Sequence, residues 1–161
     1  MPSRARLARW AGLALGVVLI DQITKYGMER AFALHEVREI TPFFNLVLVY
    51  NRGAAFSMLS DAAGWQRELF IGIAVAASVW IVWLLRKHQD ETLFCLGLSL
   101  ILGGAIGNVI DRVLVGAVVD FVDIHAFGYH WPAFNVADSA ISCGAVALVW
   151  DAFKTKTPAR V

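Results

Sequence analysis

The chain has 161 residues, 58% of them hydrophobic, and a mean hydropathy of +0.62. That is too apolar for an ordinary water-soluble domain, and the length suits one compact unit. A net charge of +1 and the lack of any basic run interleaved with aromatics argue against a nucleic-acid partner.

Four apolar segments each approach the ~20 residues that a helix needs to cross a bilayer. The first runs from Leu7 to Met28. Its basic start (Arg4, Arg6, Arg9), apolar stretch (Ala11 to Ile20) and small-x-small site (Ala31-Phe32-Ala33) imitate a cleavable leader. Asp21, Lys25, Glu29 and Arg30 intervene between stretch and site, so a retained span is expected. Asp21 and Lys25 are four apart and share a helix face. Next, Phe43 to Tyr50, preceded by Pro42, is rich in β-branched and aromatic residues and predicts a strand, with Asn51 and Arg52 just beyond. Asp61 is a candidate cap for a short outer helix.

The second span runs from Trp65 to Leu85 and the third from Thr92 to Ile110, with Arg86 and Lys87 in the turn between. Gly103, Gly104 and Gly107 form a small-residue surface of the kind that lets membrane helices approach closely. Asn108, Asp111 and Arg112 share a face at the end of that span. Val118 to His125 predicts a second strand, alternating around Asp120 and Asp123, with Asp123 facing water. The fourth span runs from Val136 to Phe153, and Asn135 and Asp138 stand at its head.

Lys and Arg placement sets orientation. Arg4, Arg6 and Arg9, then Arg86 and Lys87, then Lys154, Lys156 and Arg160 fall on one side, which predicts both termini in the cytoplasm. The fold expected is a membrane all-α bundle of four transmembrane helices with a small outer β-structure, forming a single domain over residues 1–161. No repeat, low-complexity tract or linker divides it. The tryptophans suit interface belts or lipid-facing packing. Cys95 and Cys143, at different depths, are expected as two buried thiols and not a disulfide.

The ionisable and amide residues of this topology gather at one depth, toward the outer side. Ionisable groups in membrane spans are costly and face a protein interior or a water-filled cavity. Asp120 and Asp138 then read as paired carboxylates able to do acid–base work on water. Asp21 with Lys25 reads equally as a neutralising pair inside a bundle, and the glycines as packing alone. A zinc site is disfavoured, because no histidine lies within a span and no HExxH occurs. A serine nucleophile would lack a histidine base. A small proton-coupled carrier also uses buried Asp, Lys and Arg, but carriers place them near the midplane and show internal repeats.

Five blocks then carry a resemblance. They are Asp21-Gln22-Ile23-Thr24-Lys25, Asn51-Arg52-Gly53-Ala54-Ala55-Phe56, Gly103 through Arg112, Val119-Asp120-Phe121, and Phe134 through Ser139. In this order they resemble the lipoprotein signal peptidase (signal peptidase II) family of bacterial cytoplasmic membranes. The resemblance implies an aspartic endopeptidase that removes the signal peptide of a diacylglyceryl-modified prolipoprotein, cutting before the lipidated cysteine at the outer face of the membrane. It assigns Asp120 and Asp138 as catalytic, Asn51, Asn108, Arg112 and Asn135 as site-lining, and Asp21, Lys25 and Asp111 as supporting. It also implies an outer β-cradle, sensitivity to the cyclic peptide globomycin and an inner-membrane location. A monomer in contact with membrane lipids, using no cofactor and no metal, is expected.

Overall fold

A computed structural model describes residues 4–53 and 65–155. Asp61, with its expected short helix, and Ala54 to Phe56 of the second block lie outside the described residues.

All four helices form where the apolar segments predict them: α1 (Arg4–Ala31), α2 (Trp65–Lys87), α3 (Thr92–Leu114) and α4 (Val136–Thr155). Each has a stretch long and apolar enough to cross a membrane. They overrun the predicted ends because a helix satisfies its own backbone and continues through polar residues that find partners. In this way α3 extends past Ile110 to carry Asp111 and Arg112.

The third helix is central and packs against the other three. Its glycines explain how closely. A Cβ added at Gly103 would lie 2.6 Å from the Ala14 carbonyl oxygen of α1, and one at Gly104 would collide with the Ala137 carbonyl oxygen of α4. Farther along, Gly97 and Gly144 face each other, and a Cβ on either would fall within 2.8 Å of the other's carbonyl oxygen. Bare backbones therefore meet across the α3–α4 seam, and dispersion is gained where no water is expelled. Leu98 and Leu102 of α3 join Ala14, Ile81, Leu85 and Trp10 in one core cluster. The opposite faces of α2 and α4 show exposed Val79, Trp80, Val146 and Trp150, as lipid-facing surfaces should.

Two packing expectations need correction. Trp10 is no belt residue: it is 5% exposed, with its indole N–H donated to the Gln89 carbonyl at 3.4 Å. Cys95 is buried, but Cys143 is exposed, because it lies along the wall of an open cavity beside α4. Both thiols are free.

Outside the bundle a four-stranded antiparallel sheet runs in the order β1-β2-β3-β4, from β1 (Val37–Thr41), β2 (Phe44–Asn51), β3 (Val118–Ala126) and β4 (Tyr129–His130). The sequence pattern located β2 and β3 but not β1, whose residues Val37-Arg38-Glu39-Ile40-Thr41 are mostly exposed and lack a buried alternation. The Pro42-Phe43 turn closes the first hairpin. Phe127 and Gly128, with φ of 53° and 81°, close the last one, the positive-φ geometry that suits a tight hairpin. Pairing of Val49 with Asp120 and of Asn51 with Val118 brings the end of β2 beside the start of β3. Met28 of α1 packs with Leu48, Val119 and Phe121, which seats the sheet on the bundle.

Gly144→Val tests the seam. The added carbons must displace the α3 backbone, so we expect a loss of stability of at least ~1–3 kcal/mol, read as a lowered thermal midpoint in detergent.

Candidate active site

Lys25 lies beneath the junction of α1, α3 and α4 and is 2% exposed. An ammonium group has three donors, and here all three are used. They reach Asp21 at 2.8 Å, Asp111 at 2.6 Å and the Asn108 amide oxygen at 3.0 Å. The i, i+4 spacing on α1 thus becomes a real ion pair, and α3 supplies the other two acceptors. The second carboxylate oxygen of Asp21 accepts the Ala137 N–H at 2.9 Å, at the N-terminus of α4, where a negative charge is favoured. Asp111 accepts the Val119 N–H at 3.1 Å and so ties α3 to β3.

Two asparagines lie above this layer. Asn135, fully buried, caps α4: its side-chain oxygen accepts the Asp138 N–H at 2.9 Å. With that oxygen occupied, its NH2 turns to Asp120 at 2.7 Å and to the Val119 carbonyl at 3.2 Å. Asn108 is arranged similarly. Its oxygen accepts Lys25 and, at 3.3 Å, Asn135, while its NH2 donates to Asp138 at 2.8 Å. Asn51, from the end of β2, donates to the other oxygen of Asp120 at 3.1 Å. Asp120 therefore receives two amide donors and Asp138 one, and the oxygens of all three amides are already held.

Asp120 is 2% exposed. Burial, and then the neighbouring Asp138 charge, push its pKa up to about 7, against the opposing pull of the Asn51 and Asn135 hydrogen bonds and of the Lys25 charge. A cavity of about 560 Å³ opens beside the pair, with Asp138, Asn51, Asn108 and Arg112 in its wall. It is of a size to hold a substrate segment. Arg112 reaches the Asn108 carbonyl at 3.4 Å and the Gly53 carbonyl at 3.3 Å, with Phe70 5.1 Å from its guanidinium carbon.

All nine residues singled out from the sequence come together in this one region. Lys25, Asp21 and Asp111 form the layer below, and Asn51, Asn108, Arg112 and Asn135 surround Asp120 and Asp138. Sequence reasoning missed Gln22, whose NH2 donates to Asp111 at 2.9 Å and to the Gly107 carbonyl at 3.2 Å. Its position inside the first block was the available signal. Trp131, Ser139 and Ser142, which also line the cavity, were likewise not singled out for the site. Asp123 is not the solvated residue expected. It is 9% exposed and accepts Asn45 at 2.8 Å and His130 at 2.9 Å. Although burial works against ionisation, these two bonds outweigh it and hold its carboxyl below the usual range.

Known proteins share this sequence and fold. The family model for signal peptidase (SPase) II matches residues 13–154. A lipoprotein signal peptidase from Ralstonia nicotianae is 60% identical over 88% of this chain and 82% of its own length. One from Paraburkholderia phymatum is 54% identical over 99% of this chain and 96% of its own. Among solved structures, a bacterial membrane enzyme determined by the in meso method at 2.3 Å superposes with a TM-score of 0.83, at 32% identity, over 96% of this chain and 94% of that one. With a family match over most of its length and relatives this similar, the chain belongs to the signal peptidase II family, a family of membrane peptidases.

Proposed function

We propose that Asp120 and Asp138 are the catalytic dyad with which this enzyme removes signal peptides from diacylglyceryl-modified prolipoproteins, cutting before the lipidated cysteine. The observation that carries this is a cavity walled by Asp138, whose charge acts on the buried Asp120, with amide donors on both carboxylates. With Asp120 pushed up to a pKa of about 7, the pair still shares a proton as the pH approaches neutrality, as two neighbouring carboxylates do. The titration belongs to the pair, so base and acid are not assigned to one residue each. The ionised carboxylate takes a proton from water while the water oxygen bonds to the scissile carbonyl carbon. The protonated one donates to the carbonyl oxygen as negative charge develops there. Collapse of the tetrahedral species expels the amine, which leaves with a proton returned from the dyad. This chemistry asks for no metal, cofactor or acyl-enzyme.

Arg112 and Asn51 hold substrate backbone at the cavity wall, and the diacylglyceryl chains stay among the membrane lipids. The chain is a single integral-membrane domain over residues 1–161, working as a monomer in the bacterial cytoplasmic (inner) membrane. Its termini are cytoplasmic and its site lies at the outer face. It is sensitive to the cyclic peptide globomycin.

Two experiments test this reading. Asp120→Asn and Asp138→Asn should each lower cleavage of a lipidated precursor in membranes at least a hundredfold; near-wild-type turnover by either one ends the dyad assignment. The second concerns pH. Asp120 binds a proton more readily when folded, with a pKa of about 7, than its ordinary value of 3.8 allows. The stability it contributes is complete below about pH 4 and is lost as pH rises through about 7. The thermal midpoint of the wild type should therefore fall between pH 5 and pH 8 (roughly the range of this linkage), and the slope should flatten in Asp120→Asn.

A further inference from the structure

Lys25 is adjacent to neither Asp120 nor Asp138 in the hydrogen-bond network, yet it determines which way an amide beside Asp138 faces. A side-chain amide has an oxygen end that accepts and a nitrogen end that donates. Turned over, Asn108 would present its oxygen to Asp138, an arrangement that is repulsive for an ionised carboxylate and tolerated only when Asp138 holds the proton. The observed orientation has the oxygen 3.0 Å from the Lys25 ammonium and the NH2 2.8 Å from Asp138. A group with donors and no acceptor capacity cannot tolerate the reverse orientation. Asn135 supplies a second donor to the same oxygen at 3.3 Å, but this is a longer and neutral bond.

We propose that Lys25 is a positioning residue for catalysis: by holding the Asn108 oxygen, it fixes the amide donor on Asp138 and so sets where the shared proton resides during the reaction. This rests on the dyad reading above. The ammonium is itself immobilised, because Asp21 of α1 and Asp111 of α3 take its other two protons, and Gln22 bonds the remaining oxygen of Asp111. Around the dyad the charged groups are Asp120 on β3, Arg112 and Asp111 on α3, and Asp21 with Lys25 on α1. On α2, Arg67 donates to the carbonyls of Arg112 and Val113 at the end of α3. Among the described residues, Lys25 is the one of these that bonds the side-chain amide donating to the Asp138 carboxylate.

Removing Lys25 alone leaves two buried carboxylates uncompensated and endangers folding. The decisive variant is Lys25→Met with Asp111→Asn, which deletes one positive and one negative charge together. We expect it to fold and to keep KM for a lipidated precursor within about twofold. Its kcat should fall roughly tenfold to a hundredfold, the scale of a misplaced catalytic group. The acid limb of its pH–rate profile should move up by about one unit, as loss of a donor to a carboxylate implies. Asp111→Asn alone should leave the position of that limb unchanged. A double variant with wild-type kcat and an unmoved profile overturns the proposal. So does one that fails to fold, since Lys25 would then serve stability alone. Inactive Asp120→Asn and Asp138→Asn beside such a result would leave the dyad standing, whereas active aspartate variants would remove the dyad and this inference together.

Discussion

A single ammonium group, out of contact with water, organises the end of the bundle on which the sheet sits. Lys25 could not remain charged among apolar helices without compensation, because transfer of an unpaired charge costs several kcal/mol or more. Compensation comes from two carboxylates and one amide oxygen, two of these three from α3. The two carboxylates more than neutralise it, and the excess negative charge meets backbone N–H groups at Ala137 and Val119. Those are the first turn of α4 and the start of β3, the two elements that carry Asp138 and Asp120. The ion cluster thus joins α1 to α3 and also specifies where the next helix and the sheet attach.

The two carboxylates of the proposed dyad are placed by different elements, and this sets them apart. Asp138 stands in the first turn of α4, its backbone N–H capped by Asn135. Asp120 stands near the start of β3, in a run of the strand that is buried on both faces. Asn135 touches both: its oxygen caps the helix, and its nitrogen donates to Asp120. One amide group is therefore shared between ending the loop before α4 and holding Asp120 of the proposed dyad, and a change in the cap is also a change in the candidate site. This coupling accounts for a buried asparagine where a serine or aspartate would cap the helix as well but could not supply the NH2.

Much of this was legible in the residues. Four spans followed from run length, and β2 and β3 from their β-branched and aromatic content. The nine candidate residues that the fold brings together were singled out from common depth and shared helix faces, and from the five blocks that carry the family resemblance. What escaped did so for physical reasons. Strand β1 is exposed, so no buried alternation marks it, and it exists because β2 offers an edge to pair with. Asp123 looked solvated because strand alternation does not reveal that Asn45 and His130 close over it. Trp10 and Cys143 were misjudged because an apolar span does not disclose which of its faces meets a neighbour. Gln22 is polar and sits beside Asp21, but only the folded α1–α3 contact brings Asp111 within its reach.

The glycines of α3 belong to the same constraint as the charges, although packing alone had seemed a sufficient account of them. A Cβ at Gly107 would lie 2.6 Å from a carboxylate oxygen of Asp21 and 3.4 Å from the Cβ of Ala137. The space beside Gly107 is thus where Asp21 passes between α1 and α4 to accept the Ala137 N–H. A side chain there would force apart the two helices whose contact keeps Lys25 dry, and it would move Asp21 away from Lys25 and the Ala137 N–H. Close helix approach and charge compensation are therefore not separate supports for this site. The absence of one carbon atom on α3 makes the buried ion pair geometrically possible, and the ion pair in turn holds the helices at the separation that only glycine allows.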